Sequence, residues 1–175
     1  MNHFKYLIIF ILVCVFIGGC KSNTINEAFR KQHPDQHYEL LYTKQVEEKV
    51  IGFYKAPFDS GNVGIGVAIF QGSEQKGWKV IDSYSYYSTS KVIIEAGRIH
   101  LDQNESYRIL YGLIDTPDIT KIKVTDKHGE IIEGNIINTN WKRIWYAIAE
   151  INEMKVKAYT KDGKVAVEVP YKDKK

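Results

Sequence analysis

The chain has 175 residues, 44% of them apolar, and 24 basic against 21 acidic side chains give a formal net charge of +3. That length makes one domain or two small ones, with enough chain to bury a core. So mild a charge, with Lys and Glu scattered along the sequence, gives no case for nucleic acid as a partner.

Lys5 is followed by an uninterrupted apolar run of 11 residues, Leu7 to Ile17. A helix needs about 20 apolar residues to cross a bilayer, so the run is too short to span one. It fits the apolar region of a secretory leader, with the small residues Gly18 and Gly19 at a cleavage point before Cys20. The leader is therefore expected over 1–19, and its removal leaves 156 residues of net charge +2, since Lys5 goes with it.

Ile17-Gly18-Gly19-Cys20 resembles the bacterial lipobox, in which an aliphatic residue and two small ones precede a cysteine. The resemblance implies that Ile17, Gly18 and Gly19 are read by signal peptidase II. It also implies a diacylglyceryl group on the Cys20 thiol and residence on the outer face of the cell membrane. Each buried methylene contributes about 0.8 kcal/mol, so two or three acyl chains would anchor the protein stably where one would not. Cys14 would leave with the leader and Cys20 would be consumed by lipid. What remains has no disulfide, in a compartment that would permit one, and no thiol nucleophile.

Residues 20–23 read as a tether reaching only about 14 Å when extended. Thr24-Ile25-Asn26-Glu27 has the form of a capping box, Ile25, Ala28 and Phe29 share a helical face, and Pro34 ends the segment, which predicts a helix over 25–32. Arg30 and Lys31 on that helix either face anionic headgroups or, as the plainer reading, form a solvated face. From Tyr38 the apolar period changes to two. Strands are predicted at 39–45, 49–55, 62–71 and 79–87. In the third, Val63, Ile65, Val67 and Ile69 face one way and Gly64, Gly66 and Ala68 the other. Those small residues suggest another layer, the Thr24 helix, close against them. Further strands are predicted near 91–96, 106–114, 119–126, 130–138, 143–149, 154–160 and 164–170, with turns at Lys127-His128-Gly129 and Lys161-Asp162-Gly163. Ile144, Tyr146 and Ile148 alternate with Trp145, Ala147 and Ala149, which predicts a strand buried on both faces.

The expected fold is mostly β: a short N-terminal helix, then antiparallel sheets. The organisation is a meander with the helix over 24–96, a sandwich-like half over 97–170 that either shares one core with it or forms its own, and a polar tail over 171–175. Val156-Lys157-Ala158-Tyr159-Thr160-Lys161-Asp162-Gly163-Lys164-Val165 resembles the closing hairpin of bacterial immunoglobulin-like domains, and that resemblance implies an immunoglobulin-like sandwich for the second half. A helix just after the cysteine, Gly52-Phe53-Tyr54 and Gly77-Trp78-Lys79 together resemble a group of small lipoproteins of Gram-positive bacteria, a likeness that implies no activity.

Chemistry is sparse. His33 and His37 have helical metal-ligand spacing, but Pro34 breaks the helix between them and Asp35 is a thin third ligand. There is no nucleophile elbow, no zinc-protease motif and no phosphate loop, so no catalytic residue, cofactor or metal is expected. Asp115 and Asp118 flank Pro117, where carboxylates commonly cap backbone donors. The binding signal is aromatic: Ser83 to Ser88 alternates small polar and tyrosyl residues, and Trp141 follows later. Tyr84, Tyr86 and Trp141 are the candidate binding residues for an envelope protein or a cell-wall glycan, because tyrosine offers flat apolar area and a hydroxyl at low entropic cost. The same pattern would arise if Tyr84 and Tyr86 filled one face of a sheet. Two functions stay open: a membrane-anchored binding module, and a small envelope hydrolase with a site where the halves meet, using His100 or a carboxylate. Solute capture for a transporter would need about twice the chain.

Overall fold

The computed structural model describes residues 21–87, 95–100, 106–126, 128–150 and 153–172. Ile17, Gly18, Gly19 and Cys20 lie outside the described residues, as do 91–94 of the strand expected near 91–96 and the tail from 173. Among the described residues the chain is mostly β, with one short α-helix ahead of three antiparallel sheets of four strands each.

Helix α1 (Ile25–Gln32) begins at Thr24, whose hydroxyl accepts the Glu27 N–H at 3.1 Å. Glu27 reaches one residue further back than a capping box prescribes and accepts the Asn23 N–H at 2.7 Å. Pro34, just past the C-cap His33, disfavours helical backbone before it and stops the helix.

The first sheet is a meander of β1 (Glu39–Val46), β2 (Lys49–Pro57), β3 (Val63–Ser73) and β4 (Gly77–Tyr86), in that spatial order. Its two faces divide as the sequence of β3 requires. Ile65, Val67 and Ile69 face the rest of the protein. Ala68 and Phe70 face α1, where they pack with Ala28 and Phe29. The Tyr54 ring crosses Gly66 so closely that a Cβ there would lie 2.2 Å from it. Glycine leaves room for the ring that carries the helix.

The second sheet holds β5 (Glu95–His100), β6 (Ser106–Ile114), β9 (Asn135–Asn138) and β10 (Arg143–Glu150), and the third holds β7 (Ile119–Asp126), β8 (Ile131–Glu133), β11 (Glu153–Thr160) and β12 (Val165–Lys172). The orders are β5-β6-β10-β9 and β12-β11-β7-β8. Lettered A, B, C, C′, D, E, F, G along the chain, these sheets read A-B-E-D and G-F-C-C′. That is the strand order of an immunoglobulin-like sandwich, and β11–β12 is its F–G hairpin.

Three expectations shift. The single strand expected over 130–138 is two: at Gly134, whose N–H donates to the Ile122 carbonyl at 2.9 Å, the chain leaves the third sheet and enters the second. The strand placed near 91–96 is described as Glu95–His100, and β12 runs on to Lys172, into the stretch assigned to a polar tail.

The layers stack as helix, first sheet, second sheet, third sheet, and the second sheet is apolar on both sides. Ile109, Tyr111, Leu113, Ile144 and Tyr146 meet Ile51, Phe53, Ile65 and Val67 of the first sheet. Leu110, Trp145, Ala147 and Ala149 meet Ile122, Val124, Val156 and Ala158 of the third. The double burial expected of β10 is therefore present, and it makes the two halves of the sequence share one sheet.

Candidate functional site

The segment ahead of α1 docks on the first sheet at Ser22. The Ser22 carbonyl accepts the Trp78 N–H at 2.8 Å as an isolated antiparallel bridge to β4, and Ser22 is only 9% exposed. Gly77 makes the close approach feasible. Its φ of +82° is a conformation side chains rarely take, and a Cβ there would stand 3.1 Å from the Lys21 Cβ. Within the short tether expected over 20–23, this bridge holds the chain at residue 22.

The docked segment, α1 and the β3–β4 turn enclose a groove of about 1010 Å³. Lys21 and Ser22 form one rim, Lys31 and Gln32 come from α1, and Ser73, Lys76, Trp78 and Lys79 come from the turn and β4. Gln45, Glu48 and Gln71 complete the far wall. The turn is braced by the Ser73 hydroxyl, which accepts the Lys76 N–H at 3.1 Å. All four lysines are exposed and face a single lining glutamate. A concave site with a surplus of positive charge and protein walls concentrates its potential and draws in anions. The half-buried Trp78, packed against the helix-side core, adds an aromatic surface beside them.

Beneath α1 lies a second polar cluster. His33 Nε2 is 3.2 Å from Ser83 Oγ, which is 2.8 Å from the Tyr54 hydroxyl, and Tyr54 donates to the Tyr84 carbonyl at 3.2 Å. The imidazole stacks on Tyr38 at 4.7 Å and touches Phe29 and Tyr54 at 5.0 Å each. Burial holds its pKa below the ordinary 6.5, and burial likewise pushes the Tyr54 hydroxyl up from 10.0. These contacts seam the helix to the first sheet. His37 points elsewhere: it is exposed, and its backbone N–H and Nδ1 meet Asp35 Oδ1 at 2.8 and 2.6 Å. Chiefly that backbone bond holds the Asp35 carboxyl below its ordinary range. The two histidines thus diverge, and the described residues contain no group of three metal-ligating side chains.

The aromatic candidates do not assemble into one surface. Tyr86 donates its hydroxyl to the Tyr111 carbonyl at 3.1 Å and meets that ring edge-on at 5.4 Å, bridging the first and second sheets. Trp141 packs against the same apolar cluster, with Lys55 and Lys142 ammonium groups 6.0 and 5.6 Å from its ring centre. Tyr84 stays at the edge, 38% exposed, with its hydroxyl on Asp82 Oδ2 at 2.7 Å. Tyr86 and Trp141 therefore close a core.

The meeting place of the two halves is filled by Ile51, Phe53, Ile65 and Val67 against Ile109, Tyr111, Ile144 and Tyr146, so the described residues leave no polar cleft there. His100 falls on β5, and its side chain lies outside the described residues. Asp115 pairs with Lys142 at 2.8 Å, and the Asp118 carbonyl accepts the Lys161 N–H at 3.1 Å.

Of the groove lysines, sequence nominated only Lys31, together with Arg30, for anionic headgroups, and preferred a solvated helix face for both. The groove lysines come from separate segments, and each taken alone looks like a solvated charge. Gly77-Trp78-Lys79, which also lies in the groove, drew notice only as part of a resemblance. No family model, curated protein or solved structure matches the chain.

Proposed function

We propose that this chain is an envelope lipoprotein: residues 1–19 are a leader, Cys20 carries diacylglyceryl, and the β domain is a binding module held at the outer face of the membrane. One observation supports this best. Directly after the lipobox cysteine in sequence, Lys21 lines the groove and Ser22 is fastened to β4, as suits a domain carried at an anchored residue. The groove's chemistry is that of binding: cationic and amide side chains with an indole, suited to anionic ligands. A hydrolase between the halves draws no support from the apolar packing that fills that region.

Mass spectrometry of the protein extracted from native membranes tests the reading. The expected N-terminal peptide starts at Cys20 and carries the mass of a diacylglyceryl group. An intact leader, or a free thiol at position 20, would overturn it.

A further inference from the structure

We propose that the lysine-rimmed groove docks onto the phosphate groups of anionic lipids in the bilayer that holds the acyl chains, which fixes the domain in one orientation on that surface. The inference deepens the lipoprotein reading and rests on Cys20 being the acylated residue.

The argument starts from distance. Cys20 is one peptide bond from Lys21, and consecutive Cα atoms are about 3.8 Å apart. Ser22 is bridged to Trp78 of β4. The acyl attachment is therefore confined to within about two residues' reach, roughly 7 Å, of the groove rim. That is inside the screening distance of about 8 Å at physiological ionic strength, so the lysines feel the headgroup charge. A flexible linker of about 20 residues would instead let the groove wander some 25 Å away, where the field is screened.

Charge and residue type agree with that position. Lys21, Lys76 and Lys79 outnumber the one lining carboxylate, Glu48. Trp78 stands among them, and the part of its ring left uncovered by the core offers the kind of surface that tryptophan and tyrosine present at headgroup depth. Phosphodiesters of the host bilayer are the anions nearest such a rim at all times. An amine near an anionic surface strengthens binding about fivefold, so three lysines give on the order of a hundredfold.

The test separates this docking from the anchoring. The full chain carrying Cys20→Ser, which cannot be acylated, is sedimented with phosphatidylglycerol vesicles and with phosphatidylcholine vesicles. The ratio of the two affinities is the readout, because it cancels any charge-independent contribution of the apolar run at 7–17. The expected ratio strongly favours phosphatidylglycerol, collapses at molar salt, and falls about fivefold with each of Lys21→Gln, Lys76→Gln and Lys79→Gln, all exposed positions that leave the core intact. An unchanged ratio in the triple variant overturns the proposal, as does the lack of any preference in the parent. Displacement from vesicles by a soluble glycerol-phosphate polymer at lower phosphate concentration than the lipid would also overturn it, by making a wall polymer the ligand. A failed vesicle preference with lipid found on native Cys20 overturns the docking alone. An unmodified Cys20 overturns the anchoring and, with it, the reason for a lipid ligand.

Discussion

His33 shows how one residue couples local burial to solution behaviour. Its ring is partly sequestered among Phe29, Tyr38 and Tyr54, and burial keeps its pKa under 6.5. Above pH 6.5 the histidine is neutral whether folded or unfolded and contributes no pH dependence. As pH falls through 6.5 the unfolded chain gains a proton that the folded chain resists, so stability drops until the lower folded pKa is passed. The expected outcome is a urea midpoint that declines from pH 7 to pH 5 more steeply in the parent than in His33→Phe; parallel declines would contradict it. This role was not legible in the sequence, where spacing to His37 pointed to metal and Pro34 argued against it. Stacking on Tyr38 depends on how the loop after α1 closes, which no local pattern encodes. Thr24 and Glu27, by contrast, announced the start of α1, because a cap acts over three residues.

At the scale of elements, strand positions followed from period-two alternation and turn glycines, and β6, β7 and β11 lie where that pattern placed them. The split at Gly134 did not show: the doublets Ile131-Ile132 and Ile136-Ile137 flank a single glycine, and the departure is fixed across the third sheet, where the Gly134 N–H donates to the Ile122 carbonyl. The crossover from β6 to β7 is another such feature. Arg143 donates from Nη2 to the Ile119 carbonyl at 2.6 Å and from Nη1 to the Pro117 carbonyl at 3.2 Å. A single guanidinium, at the start of β10 in the second sheet, thereby holds the entry to the third. Hydrogen bonds to charged groups contribute about 1.5–3 kcal/mol each when well shielded, and less at a half-buried site. Arg143→Ala is expected to lower stability by about 1–3 kcal/mol and to speed amide exchange at Ile119, with Arg143→Lys restoring only part, since lysine lacks the fork. An unaltered exchange rate at Ile119 would show that the crossover holds itself.

Across the whole molecule, the two halves of the sequence share their middle sheet. Composition and alternation suggested a sandwich but left open whether the first half had its own core, because layer order depends on which faces meet. With β6 and β10 contributing to both interiors, neither the meander nor the sandwich keeps its packing without the other. Amides of Val67 in the first sheet and Val156 in the third are therefore expected to exchange through one global opening of equal free energy. Two distinct opening energies would mean that the halves unfold separately. The same sharing shapes how the chain can go wrong. Residues 109–114 and 144–149 are near-continuous apolar ribbons without a charge or proline to interrupt them. Each needs a neighbour above and below, and these are built from segments that lie far apart in the sequence. A species with any layer missing presents a sticky, strand-ready surface of the kind that seeds fibrils. The protein's solubility thus depends on finishing all four layers together.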